Sequence, residues 1–314
     1  MTIVLLLVGL ALILAGANFL TSGASSLAVR FRISEFIVGF TIVAIGTSMP
    51  ELVVSVMSAV EGHTDIAVGN IVGSNIFNTF VILGISALVM PIPFTNSNVR
   101  KDIPFGVLAS AVMFLMCADR WLDGTADMVS RSDGLVLLCL FVLYMVYSVY
   151  SAPSDGEPDS KIERMPVWKI VLYILGGFAA LIFGADMFLD SSIAIARSLN
   201  VSESVISITL VAAGTSVPEL ATSVVAAAKG RSELALGNVV GSNIANIFLI
   251  VGLSATIRPL SMGGITQWDV LLMLVASVML LLTAFTFKKY RLDRWEGVCF
   301  IAVYVAYMFY LLYR

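Results

Sequence analysis

Long apolar runs, broken by short polar stretches, set the elements of this chain. A helix that crosses a bilayer needs about 20 consecutive apolar residues. Ten runs approach or exceed that length: 3–20, 36–60, 66–90, 103–118, 135–150, 167–188, 204–228, 234–257, 270–287 and 298–313. No basic stretch precedes the first run, so no cleaved leader is expected. The interval 151–166 differs in kind, with three prolines and six charged residues. It reads as a linker between residues 1–150 and 167–314, each predicted to hold five helices.

The two halves repeat each other. At an offset of 168 residues, residues 41–54 match 209–222 at 9 of 14 positions, and 69–78 match 237–246 at 8 of 10. Beyond the third helix the match fades and the offset slips to 163, where Asp133-Gly134 falls on Glu296-Gly297. An odd number of spans per half forces the halves into opposite orientations. The predicted fold is therefore an all-α polytopic membrane protein, with ten transmembrane helices arranged as two inverted-topology repeats of five.

Composition sharpens that reading. The chain is 59% hydrophobic and 12% charged, about half the charge of a typical soluble domain. With both termini on one side, 13 of the 18 basic residues fall in loops on the opposite side, the linker among them. The positive-inside rule makes that side cytoplasmic and leaves both termini outside. Cys117, Cys139 and Cys299 stand singly and read as small packing residues, and His63 has no thiol partner for a zinc site.

Within the second and seventh runs the only charges are Glu51 and Glu219, in Gly46-Thr47-Ser48-Met49-Pro50-Glu51 and Gly214-Thr215-Ser216-Val217-Pro218-Glu219. A carboxylate at membrane depth costs several kcal/mol and faces a partner, a cavity or an ion. Pro50 and Pro218 cannot donate to the carbonyls of Gly46 and Gly214, so each helix is expected to open there. Thr47 and Ser48, like Thr215 and Ser216, bracket the face that carries the acid. The next helix of each half offers Ser74 and Asn78, or Ser242 and Asn246, one turn apart. A single such kink or hydroxyl is usually structural; the same cluster in register in both halves is not. Carboxylates, hydroxyls, amide oxygens and loosened carbonyls suit calcium, sodium or magnesium rather than zinc or copper. Two bidentate carboxylates and two threonine oxygens supply roughly six ligands, which calcium accepts, and two negative charges balance one divalent ion.

Gly46-Thr47-Ser48-x-Pro50-Glu51 together with Gly69-Asn70-x-x-Gly73-Ser74-Asn75-x-x-Asn78, and their second copies, resemble the two α-repeats of the sodium/calcium exchanger family, within the cation/Ca2+ exchanger superfamily. The resemblance implies a core of predicted helices 2, 3, 7 and 8, across which helices 1 and 6 slide to alternate access. It places the central carboxylates on Glu51 and Glu219. The remaining ligands fall on Thr47, Thr215, Ser48, Ser216, Ser74, Asn78, Ser242 and Asn246, with the backbone carbonyls of Ala44 and Ala212. Sodium ions then enter as calcium leaves, with net movement of charge. Potassium-dependent and many microbial relatives carry Asp where this chain has Asn246, which favours potassium-independent exchange.

The expected activity is sodium/calcium antiport. A proton/calcium or potassium-dependent exchanger of the same fold is the alternative. A channel would need a continuous pore. An enzyme would need a nucleophile–base pair or a metal with an open position, and neither lies within the predicted spans. Calcium, sodium and the lipid bilayer are the expected partners; no cofactor, nucleic acid or obligate protein partner is implied. Location in a prokaryotic cytoplasmic membrane is expected. Asp186, matched by Asn18, stands toward the end of the sixth run and reads as an interfacial or capping residue, with a place on an ion path as the alternative.

Overall fold

A computed structural model describes residues 2–122, 124–150, 164–199, 212–286 and 289–313. Residues 204–211 of the seventh predicted helix, most of the predicted linker, and the counted charges Lys161, Lys288 and Arg314 lie outside the described residues.

Each of the ten predicted runs carries helix. In chain order these are α1 (Thr2–Phe31), α2 (Glu35–Thr47), α3 (Met49–Glu61), α4 (Thr64–Val89), α5 (Ile103–Met116) and α6 (Arg131–Tyr150). There follow α7 (Val167–Ser198), α8 (Val217–Ala228), α9 (Ser232–Ile257), α10 (Gln267–Thr283) and α11 (Arg294–Tyr313). Among the described residues, α1, α4, α6, α7, α9 and α11 are long and apolar enough to cross a membrane, and the bent pair α2–α3 is a further candidate.

Two helices outrun their expected bounds. The first and sixth runs end at Leu20 and Phe188 in sequence, yet α1 continues to Phe31 and α7 to Ser198. Their polar residues do not break them, because Ser22 Oγ and Ser192 Oγ donate to the carbonyls of Asn18 and Phe188 one turn back. Asp186 consequently lies well inside α7, on an exposed face, rather than at a helix end. α1 and α7 run antiparallel with their backbones in contact. A Cβ added at Gly16 would lie 2.8 Å from the carbonyl of Gly177, and one at Gly184 would lie 2.9 Å from that of Gly9. Only glycine permits that approach.

α4 and α9 form the centre, with 83% and 94% of their apolar stretch buried, against 17% for α6 and α11. Each contains one widened helical turn, at Asn78–Ile82 and Asn246–Val251, beginning on matching asparagines. Such turns recur at functional sites. Among the described residues, four two-residue strands tie the halves together: β1 (Ile92–Pro93), β2 (Met128–Val129), β3 (Leu260–Ser261) and β4 (Arg291–Leu292). β1 pairs antiparallel with β4, and β2 with β3. The connection that follows α4 thus meets the α10–α11 connection, and the one that follows α9 meets the α5–α6 connection.

Candidate functional site

The expected opening of the helix at Pro50 is present: α2 and α3 meet at 47°. Ser48, between them, has φ −81° and ψ 10°, and Pro50 sits in the first turn of α3, where a missing N–H leaves no bond unmade. Ser216 repeats this at φ −88° and ψ 7°, with Pro218 opening α8. Glu51 and Glu219 therefore lie in the first turns of α3 and α8, at the positive end of each helix. A helix N-terminus stabilises a nearby anion by about 2 kcal/mol at best. Burying an unpaired carboxylate costs several kcal/mol. The fold alone does not compensate these two acids, both of which are 0% exposed.

The two halves serve each other's acid. Ser48 Oγ donates to Glu219 Oε1 at 2.9 Å, and Ser216 Oγ donates to Glu51 Oε1 at 3.0 Å. The carboxylates are near enough to interact electrostatically. Behind each break an asparagine straps the chain. Asn70 Nδ2 reaches the Glu51 carbonyl at 3.4 Å and Ser55 Oγ at 3.0 Å, while its Oδ1 accepts from Thr215 Oγ1 at 3.5 Å. Asn238 does the same to the Glu219 carbonyl, Ser223 and Thr47 Oγ1, at 3.4, 2.9 and 3.3 Å.

Below the acids, α4 contributes Ser74 and Asn78, and α9 contributes Ser242 and Asn246, all buried. Ser242 Oγ donates to the Ala44 carbonyl at 3.5 Å, which also accepts from Ser48 N at 3.0 Å. Ala212 begins the short helical turn that leads to Thr215. The two amide nitrogens cross between halves: Asn78 Nδ2 donates to Asn243 Oδ1 at 3.1 Å, and Asn246 Nδ2 to Asn75 Oδ1 at 3.0 Å.

Five buried oxygens in this cluster have no donor: Glu51 Oε2, Glu219 Oε2, Ser74 Oγ, Asn78 Oδ1 and Asn246 Oδ1. Buried acceptors are ordinarily satisfied, and a convergence of unsatisfied oxygens with two acids has the chemistry of a hard-cation site. Among the described residues no group of three or more His, Cys, Asp or Glu could hold a metal.

The sequence reading named the acids, hydroxyls and outer asparagines but gave no task to Asn70, Asn75, Asn238 and Asn243. Their signal was present, since all four repeat at the same offset inside the matched blocks.

A family model described as sodium/calcium exchanger protein matches residues 1–150 and 169–313. The sodium/calcium exchanger MaX1 of Methanosarcina acetivorans is 33% identical over 344 residues, covering 98% of each chain. The inner membrane protein YrbG of Escherichia coli is 35% identical over 265 residues, 81% of this chain and 79% of that one. A solved structure of the sodium-calcium exchanger NCX_Mj, soaked with zero sodium and calcium, superposes with a TM-score of 0.85 at 32% identity, covering 99% of this chain and 98% of that one.

Proposed function

The chain belongs to the sodium/calcium exchanger protein family and is a multi-pass membrane antiporter of calcium and another cation rather than an enzyme, and from that premise we propose that sodium is its counter-ion. The exchange is independent of potassium and moves net charge. The arrangement that best supports this reading is the pair of crossed serine–carboxylate bonds, which makes one site out of both halves.

In this reading Glu51 and Glu219 are the central ligands. Around them stand Thr47, Ser48, Thr215, Ser216, Ser74, Asn78, Ser242 and Asn246, with the carbonyls of Ala44 and Ala212. One calcium ion neutralises both acids; sodium ions together do the same. Neutralisation removes most of the penalty for carrying the site past an apolar barrier, whereas an empty site leaves two unpaired charges and is held back. α1 and α7, joined backbone to backbone, are the unit that slides across α2–α3, α4, α8 and α9. With amides at Asn78 and Asn246 the centre carries only two negative charges, which leaves no extra charge for a co-transported potassium ion.

Residues 1–150 and 167–314 form the two five-span repeats of inverted topology, and 151–166 a cytoplasmic linker. The membrane is the inner membrane of a prokaryote, the setting that the name of the Escherichia coli relative gives for that protein.

Calcium flux in proteoliposomes tests the proposal. Wild-type protein is expected to take up calcium down an imposed outward sodium gradient, with the rate altered by membrane potential and unchanged by potassium. Glu51→Gln and Glu219→Gln are expected to abolish that flux while the protein still elutes as a folded species. Near-normal flux in either variant would defeat the ligand assignment. Flux driven by a pH gradient and indifferent to sodium would instead make protons the counter-ion.

A further inference from the structure

We infer that Asn75 and Asn243 are positioning residues, which aim the side-chain carbonyls of Asn78 and Asn246 at the transported cation. The inference rests on the ligand roles proposed above for Asn78 and Asn246.

An amide side chain presents an acceptor at one end and two donors at the other, on nearly the same shape. Beside a cation the two ends have opposite consequences: Oδ1 binds it and the Nδ2 hydrogens repel it. Packing barely distinguishes the two orientations, so hydrogen bonds must. At Asn78 the choice is made by Asn243, whose Oδ1 accepts from Asn78 Nδ2 at 3.1 Å. Asn243 Nδ2 donates in turn to Thr79 Oγ1 at 2.9 Å, with Oδ1 as the end that faces Asn78. A hydroxyl donates as well as accepts, so Thr79 holds the Asn243 side chain in place without by itself dictating which end points where. At Asn246 the choice is made by Asn75, whose Oδ1 accepts from Asn246 Nδ2 at 3.0 Å. Asn75 is fixed in turn through its Nδ2, which donates to the Asn243 backbone carbonyl at 3.2 Å. The Asn75 relay is directional from anchor to ligand, because a backbone carbonyl only accepts. Both relays end with the same result, an Asn Oδ1 that is buried and without a donor. The orienting asparagines are buried as well, at 1% and 8% exposed.

The relays cross between halves, so each half's ligand amide is set by the other half's asparagine. Their anchors differ. Thr79 holds Asn243 through a hydroxyl, but Ile247 stands at the matching position of the second half, and Asn75 uses a backbone carbonyl instead. The Asn78 arm is therefore the one that side-chain substitution can unlock at its anchor.

The test is a double-mutant cycle read by calorimetric titration of calcium into the purified, sodium-free protein. Loss of a group that orients a metal ligand typically weakens binding by about 10–100-fold. Asn243→Leu is expected to weaken calcium binding by roughly that factor. In an Asn78→Ala background, where no amide remains to be aimed, Asn243→Leu is expected to change affinity by less than about twofold, the scatter of independent sites. Thr79→Val keeps the shape of Thr79 and removes only the anchor. It is expected to weaken binding in the wild-type background and not in Asn78→Ala, and it decides the matter if Asn243→Leu does not fold. Equal losses in both backgrounds, or no loss in the wild-type background, would overturn the inference. Glu51→Gln, titrated alongside, separates the two layers. If it retains full calcium affinity the ligand reading itself fails, whereas if it loses affinity while the cycle is additive only the aiming role fails.

Discussion

Ser48 lies three residues before Glu51 in sequence, yet its hydroxyl serves Glu219 of the other half, and Ser216 serves Glu51. Helical spacing placed Thr47 and Ser48 beside Glu51, but the break falls on Ser48 and turns its side chain across to the opposite acid. The acids and the prolines were legible because each carries its own physical cost. The direction of a hydroxyl or an amide was not, since it depends on partners in the other half of the chain. A titrating residue outside the central site gives a separate prediction. Asp102 precedes α5 and accepts from Asn98 Nδ2 at 3.2 Å. Burial pushes its carboxyl up to about 6, against the downward pull of Asn98 and the Lys101 charge. An acid whose pKa is higher folded than unfolded binds a proton on folding, so stability falls as pH rises from about 4 to 6, and the full penalty stands at neutral pH. Asp102→Asn keeps the acceptor for Asn98 and removes the charge. It is expected to raise the melting temperature in detergent at neutral pH, with the gain vanishing by about pH 4. A gain of the same size at both pH values would sink this account.

Helices were the most readable level, because long apolar runs leave no other way to satisfy the backbone in a bilayer. What the runs concealed was where helices end and which face each presents. α1 and α7 extend past Ser22 and Ser192, whose hydroxyls bond the preceding turn, so polarity alone misplaced both ends. The adjacent pair Gly176-Gly177 on α7 shows the same limit, since apolar periodicity does not say which glycine meets a neighbour. The repeat offset, which matches Gly177 to Gly9 and Gly176 to Val8, is the one signal that separates them. Gly177 is buried against α1, where an added Cβ would lie 2.8 Å from Leu20 N and 3.0 Å from the Gly16 carbonyl; Gly176 is exposed. Gly177→Leu is expected to force α1 and α7 apart, at an overpacking cost of about 1–3 kcal/mol, and to lower the melting temperature. Gly176→Leu, one residue away, is expected to be nearly neutral. Comparable destabilisation by both would mean that the α1–α7 contact is not the cause, and helix propensity would not explain it either, since it favours leucine over glycine at both positions.

At the scale of the molecule, the strand pairs bear on topology, because residues that share a hydrogen-bonded ladder lie on the same side of a membrane. β1 and β4 pair, so an even number of spans must separate them, and the ten-span arrangement places six there. β2 and β3 pair across four. The hydrogen bond between Thr64 and Ser261, 2.8 Å, and that from Arg131 to the Ile257 carbonyl, 3.2 Å, join connections that the same arrangement assigns to one side. Arg294, bonded to the Leu88 carbonyl at 3.1 Å, joins two on the other. In the proposed ten-span arrangement both termini share one side, and the excess of basic residues on the linker side predicts that the linker side is cytoplasmic. Fusions at the C-terminus in a bacterial host read this directly. Alkaline phosphatase placed after Arg314 is expected to be active, since it folds only outside the cytoplasm, and green fluorescent protein at the same point is expected to be dark. The same two reporters inserted within 151–163 are expected to give the reverse. A fluorescent C-terminal fusion would place the basic loops outside, against the charge rule. Reporters that agree between the linker and the C-terminus would mean an even number of spans in the second half, and the inverted relation between the repeats would then be lost.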